Sequence, residues 1–370
     1  MFKLLSIFIS LAFAAAAFAA SVNGPTFGSF TVQCPADSDT YIGILPTRMP
    51  AFTGEVDGMT LSSRKISARG EPNWKANKFV YQSGVQTNHY YLKFTSGELE
   101  GAWFDISAND SYSVQISIGE AEFRKISVGD AFQIIPHWTM ATLFPDGGGF
   151  AKATSLFPTR NRSVLWKSTT YENSVEYPVG INPPFLSSFY YRKYGKVDGW
   201  LDKGDSDASD SVIEPNACFV VTQPKGVASE VVYSGVIPMC ATSFELFTTE
   251  SDSGGGRAQH ILIPVPSAVD IKLSDLTEGL VGSGAFLASQ SIRRTDVLYL
   301  YDNSSLGHNI TPAETFSYRK TSSKSYWENA SYSVCDDYLL KAGTVLKFLK
   351  ATSKLPSTFR CKITPSYLNK

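Results

Sequence analysis

Ser111-Tyr112-Ser113-Val114-Gln115-Ile116-Ser117-Ile118 alternates polar and apolar residues without a break. A period of two sends Tyr112, Val114, Ile116 and Ile118 to one side of an extended chain, so the stretch reads as a half-buried strand. Its neighbours follow the same logic. Ala102 to Ser107 reads as a partner strand, joined through Asn109-Asp110, residue types that tolerate the positive φ of a tight hairpin turn. Tyr90 to Thr95 precedes the pair across the polar segment 96–101, which makes a three-stranded meander. Val128 to Ile135 adds a Gly-Asp turn and a strand whose Phe132 and Ile134 share a face.

Beyond this nucleus, turn signals recur at the spacing of a sandwich or barrel. The composition agrees, with 13% aromatic and only 18% charged residues. Helix signals are scarce. Asp275-Leu276-Thr277-Glu278 reads as a capping box opening one short helix that ends by Gly282-Ser283-Gly284. The expected fold is all-β, with two or three small antiparallel sandwich or barrel units at 20–145, 146–253 and 254–370. Glycine triplets at 147–149 and 254–256 read as flexible joints between them.

An internal repeat relates the last two units. Residues 180–224 slide without a gap onto 307–351. The matches include Asn182/Asn309, Phe189/Phe316, Tyr191/Tyr318, Arg192/Arg319, Trp200/Trp327 and Asp210/Asp337. Val164-Leu165-Trp166 and Val297-Leu298-Tyr299 extend the match upstream, with a short insertion in the first copy. Self-similarity of this kind is the mark of a duplicated unit. Strand alternation puts Phe189 and Tyr191 on one face with Arg192 opposite, so Asp210 and Asp337 are the expected partners of Arg192 and Arg319.

Several stretches carry a resemblance. They are Ser38 to Pro46, Thr95-Ser96-Gly97 with Gly101-Ala102-Trp103, Ile134 to Trp138, Thr142 to Pro145, Val236 to Met239, Phe244 to Thr249, Gly282 to Phe286 and the two Tyr-Arg-Lys…Trp blocks. In their order the chain resembles an uncharacterised family of exported β-rich proteins found in multiple copies in verrucomicrobial bacteria. The resemblance implies export and a β-rich fold, and it brings no activity with it.

The amino terminus gives the compartment. Met1-Phe2-Lys3 is followed by an uncharged apolar run from Leu4 to Phe18. That run is shorter than the ~20 residues a membrane span requires. Ala17-Phe18-Ala19 has the small-x-small form that signal peptidase accepts. Residues 1–19 are therefore expected to be a signal peptide, cut before Ala20, with the mature protein secreted to the periplasm, the cell surface or the medium. No integral membrane segment is expected after processing. With 33 Lys and Arg against 34 Asp and Glu, and no basic stripe, nucleic acid is not an expected partner.

Candidate chemistry is thin. The five cysteines form no C-x-x-C pair. Cys335–Cys361 is the first candidate bridge and Cys218–Cys240 the second, with buried free thiols the alternative. His89, His137, His260 and His308 show no zinc spacing. The loop carrying Asp202, Asp205, Asp207 and Asp210 is a weak calcium candidate, because calcium needs several oxygen ligands on a flexible loop. It departs from an EF-hand, with Asp210 where glycine belongs and Asn216 where glutamate belongs. No nucleophile elbow or dinucleotide loop is present, and no cofactor is expected. The reading that follows is an exported, non-catalytic structural, surface or adhesion protein. Its partners would be surface polysaccharide or other exported proteins. A carbohydrate-binding protein using exposed aromatics is the alternative, and an exported hydrolase the third.

Overall fold

The computed structural model describes residues 25–155, 161–168, 187–250, 254–290, 293–355 and 357–368. The expected signal peptide and Asn182 lie outside them. The described chain is all-β, built from antiparallel strands with only short helical turns. After β1 (Phe27–Cys34) and β2 (Asp39–Gly43), it enters a closed six-stranded barrel. The barrel strands are β3 (Phe52–Thr60), β4 (Lys65–Ala68), β5 (Tyr90–Phe94), β6 (Trp103–Asn109), β7 (Ser113–Ile116) and β8 (Ala131–Pro136), closing in the order β3-β4-β7-β6-β5-β8. Closure leaves no open edge.

The meander predicted around 111–118 is β5-β6-β7. Val114 and Ile116 face the barrel core with Leu92, Phe94, Ile106, Phe132 and Ile134. Tyr112 departs from the expected face and is exposed. Its backbone N–H, and that of Ser113, donate to Asp110 Oδ1 at 3.1 and 2.8 Å, so the strand begins only at Ser113. The turn is held by that carboxylate and not by positive φ. With the Ser113 hydroxyl also donating to it, the Asp110 carboxyl is held well below the usual carboxylate range. Asn109 is buried instead, accepting from Phe79 N–H at 2.9 Å.

Past the barrel come β9 (Trp138–Thr139), β10 (Val164–Ser168), β11 (Ser187–Tyr194), β12 (Val197–Asp202), β13 (Val212–Ile213), β14 (Cys218–Thr222) and β15 (Ser229–Val236). A five-stranded sheet β12-β11-β10-β14-β2 faces the pair β1-β15, and the two form a sandwich. The second sandwich uses β16 (Thr242–Glu250), β17 (Gly256–Arg257), β18 (Gln259–Pro264), β19 (Ile271–Lys272), β20 (Val297–Tyr301), β21 (Glu314–Lys320), β22 (Ser325–Glu328), β23 (Leu339–Leu340), β24 (Val345–Lys350) and β25 (Ser357–Ile363). Its sheet runs β22-β21-β20-β24-β18 and faces β17-β16-β25. The two orders superpose strand for strand.

The pairing registers of the two copies correspond. Leu165 pairs with Phe189 and Val221, while Leu298 pairs with Phe316 and Phe348. Tyr191 pairs with Trp200 as Tyr318 pairs with Trp327. Short parallel bridges from Ala153 to Arg192 and from Ser289 to Arg319 close the same corner in each copy. The repeat is also larger than the sequence match, because β1 and β2 answer to β16 and β18. Pairings therefore run across the borders of 20–145, 146–253 and 254–370. Where the second copy has only the link from Pro264 to Ile271, the first copy carries the whole barrel.

Two local expectations change. Gly147-Gly148-Gly149 is a packed corner, not a joint: Gly149 has φ +87°, and a Cβ there would meet Glu230 O at 2.5 Å. Asp275 does not cap the expected short helix, which is present at Glu278–Gly282 and ends where expected. Its carboxylate accepts from Lys272 N–H at 3.0 Å, which places it inside the helical turn Leu273–Leu276.

The sandwiches meet back to back through Tyr41, Cys218 and Val220 of the first and Leu262, Tyr301, Ile310 and Val345 of the second. Tyr41 and Tyr301 stack at 4.0 Å. Gly43 of β2 lies against Pro264, its counterpart on β18, so equivalent positions of the two copies touch. That is the geometry of a two-fold, self-complementary contact. A Cβ on Gly43 would sit 2.6 Å from Pro264 Cβ. Gly43→Ala is expected to cost about 1–3 kcal/mol through overpacking, read as a lower denaturant midpoint. An unchanged midpoint would show that the seam is loose.

Candidate functional site

The repeat positions divide into core and clamp. Trp200 and Trp327 are 1% and 0% exposed. Each meets its cross-strand tyrosine edge to face, Tyr191 at 5.4 Å and Tyr318 at 5.2 Å. Phe189 and Phe316 lie in the same two cores. The arginines are clamped, though not by the expected acids. Arg192 Nη2 lies 3.3 Å from Asp205 Oδ1 and donates to Tyr190 Oη, which itself donates to Asp205. Arg319 holds Glu328 with two bonds, Nη2–Oε1 at 2.7 Å and Nε–Oε2 at 3.1 Å. Asp210 lies on an exposed loop, and Asp337 pairs with Lys272 at 2.6 Å. Asn309 donates its backbone N–H to Asp39 Oδ2 at 2.7 Å, tying the two copies together.

The calcium reading fails on geometry. Asp202 Oδ1 accepts from Gly204 and Ser206 N–H, Asp207 Oδ1 from Ser209 N–H, and Asp205 is committed to Tyr190 and Arg192. The carboxylates of Asp202 and Asp207 thus shape their own turns. Among the described residues no three His, Cys, Asp or Glu side chains gather as a metal would require. The bridges are not formed either: Cys34, Cys218, Cys240, Cys335 and Cys361 are free thiols. Burial pushes Cys335 and Cys361 up to about 12, so both are inert as nucleophiles.

His308 sits between the copies, with Nδ1 3.3 Å from Asp39 Oδ1 and Nε2 3.3 Å from Asp37 Oδ1. The bond to Asp39 is the main cause of its raised pKa. A raised folded value gives stability that is complete below the ordinary histidine range of ~6.5 and is lost as pH rises through the folded value. At a half-exposed site this amounts to at most about 1 kcal/mol. His308→Gln is expected to flatten the dependence of Tm on pH in that window. An unaltered profile would remove His308 from the seam's energetics.

A polar cleft lies elsewhere, where the barrel meets the first sandwich. Its volume is about 300 Å³, and Tyr81, His89, Tyr90, Asp105, His137 and Glu214 are among its lining residues. His137 follows β8 directly, as the chain leaves the barrel. Its Nε2 lies 2.8 Å from Asp105 Oδ1, its backbone N–H donates to His89 O at 2.8 Å, and its carbonyl accepts from Arg48 at 3.1 Å. His89 stacks flat on Tyr81 at 4.2 Å. Burial, then the nearby His137, lowers the His89 pKa against the opposing pull of Asp105 and Asp210. Glu214 accepts from Lys167 Nζ at 2.9 and 3.1 Å. Sequence reasoning passed over this set because its members come from separate strands and loops. Only the alternation of β6, with Phe104 and Ile106 inward, marks Asp105 as outward-facing.

Among the described residues no helix is long and apolar enough to cross a membrane. No protein-family model, curated protein or solved structure matches the chain.

Proposed function

We propose that this is an exported, non-catalytic structural, surface or adhesion protein, with a β-barrel carried on a duplicated sandwich. One observation carries the reading: the two copies keep the same packing and differ in their polar chemistry. Phe189, Tyr191 and Trp200 repeat as Phe316, Tyr318 and Trp327 in the same register. The acid that clamps the shared arginine comes from a loop in one copy and a strand in the other. A duplicated binding or catalytic centre would hold its polar groups in common, whereas a scaffold needs only its core. Burial also removes the repeated tryptophans from any sugar-stacking platform. The apolar run 4–18, the Ala17-Phe18-Ala19 site and the verrucomicrobial resemblance support export.

The test is to recover the natural protein from the cell exterior, sequence its amino terminus and assay it on neutral glycan arrays and polysaccharide substrates. The expected result is a start at Ala20, no array signal and no hydrolysis. Met1 retained on membrane-bound material would overturn export. Strong neutral-glycan binding would promote the carbohydrate-binding alternative, and turnover the hydrolase.

A further inference from the structure

We propose that the cleft between the barrel and the first sandwich binds an organic ammonium group, through the Asp105 carboxylate and the aromatic wall of Tyr81 stacked on His89. The site goes beyond the structural role and does not depend on it.

Several observations converge. The lining mixes aromatic and polar side chains at a junction between structural units, the usual setting of a small-ligand site. Its polar groups are weighted toward acceptors. Asp105 and Glu214 are carboxylates, and burial lowers the His89 pKa, which disfavours its cationic form. Lys167 is held by Glu214 and the Val212 carbonyl, and Arg48 is turned to Asn88 and the His137 carbonyl. With Glu214 paired to Lys167, Asp105 is the carboxylate of the lining that meets no lysine or arginine among the described residues, and an ammonium beside it finds charge complementarity.

Asp105 is presented for this. Its side chain is 61% exposed, and its Oδ1 lies 2.8 Å from His137 Nε2. His137 is an uncommon residue to bury for packing alone. It is 2% exposed, and its Nδ1 has no hydrogen-bond partner. Leaving such a group unsatisfied is costly. The ring's one side-chain bond orients the carboxylate, which makes His137 a positioning residue. Beside it, Tyr81 offers a partly exposed electron-rich ring, to which a cation is attracted.

The ammonium could belong to a free amine or to a lysine of a partner protein, and the probes separate the two. The intact mature protein is titrated by calorimetry with putrescine, with a Gly-Lys-Gly peptide blocked at both termini, with the same blocked peptide acetylated on lysine, and with glucose. Putrescine or the lysine peptide is expected to bind, the tighter of the two naming the source. The acetylated peptide and glucose are expected to fail. Asp105→Asn is expected to weaken binding about tenfold or more, and Tyr81→Ala several-fold, both with Tm unchanged. Binding should also weaken with salt, because the carboxylate is exposed. Absence of binding by both amines, glucose or acetylated peptide binding as well as the amines, or full affinity in Asp105→Asn would each overturn the assignment. Should Asp105→Asn prove unstable, an undiminished affinity in Tyr81→Ala would overturn it equally.

Discussion

Replacing Trp200 or Trp327 by alanine lowers the thermal midpoint by on the order of 10 °C, in either copy and to a similar extent. Each indole is enclosed, with Phe144 and Phe150 around Trp200 and Phe286 beside Trp327. Each also spends its one donor inside the protein. Trp200 Nε1 donates to Phe144 O and Trp327 Nε1 to Thr277 Oγ1, both at 2.9 Å. Truncation removes the packed ring at about 3–5 kcal/mol. It also leaves a buried acceptor short, most severely the Phe144 carbonyl, whose unsatisfied cost is about 1–3 kcal/mol. Phenylalanine restores most of the volume but not the bond, so Trp200→Phe should fall between wild type and Trp200→Ala. Calorimetric unfolding of the variants checks the series. A full-length variant with unchanged Tm would show that the repeated tryptophan is not the keystone of its sandwich.

The sequence made that tryptophan legible because the spacing from Tyr191 to Trp200 is short and the same hairpin occurs twice. Local alternation likewise exposed the β5-β6-β7 meander. What could not be read was anything decided by distant pairing. β1 and β2 join β15 and β14 only after the whole barrel has been threaded between them, and no local pattern records that choice. The clamps show a second limit. Asp210 and Asp337 were singled out by identity between copies, yet salt bridging needs reach, not identity. Glu328 lies on the strand beside Arg319, and Asp205 in the turn beyond β12, each nearer its arginine than the shared aspartate. The Asp105–His137 contact was hidden for the same reason, being made between β6 and the exit from β8.

The buried pair Lys350–Asp296 allows a test in which the protein supplies its own control. Lys350 Nζ lies 2.6 Å from Asp296 Oδ2, at 2% and 0% side-chain exposure, and also donates to Ala285 O at 2.7 Å. Asp296 accepts from Leu287 and Ala351 N–H, both at 2.8 Å. In the first sandwich the equivalent positions are Gln223 and Ser163. Ser163 Oγ donates to Gln223 Oε1 at 2.8 Å and accepts from Ala151 N–H at 2.8 Å. A neutral pair thus does there what an ion pair does here. Asp296→Ala strands a buried ammonium and is expected to cost about 3–5 kcal/mol. Lys350→Gln alone should cost less, since two backbone N–H groups still serve the Asp296 carboxylate. The double change Lys350→Gln with Asp296→Ser transplants the first copy's solution and is expected to recover most of the loss. A double-mutant cycle of Lys350→Gln and Asp296→Ser in denaturant measures the coupling. Additive losses, with no recovery in the double variant, would mean that the two corners are alike in hydrogen bonding but not in packing.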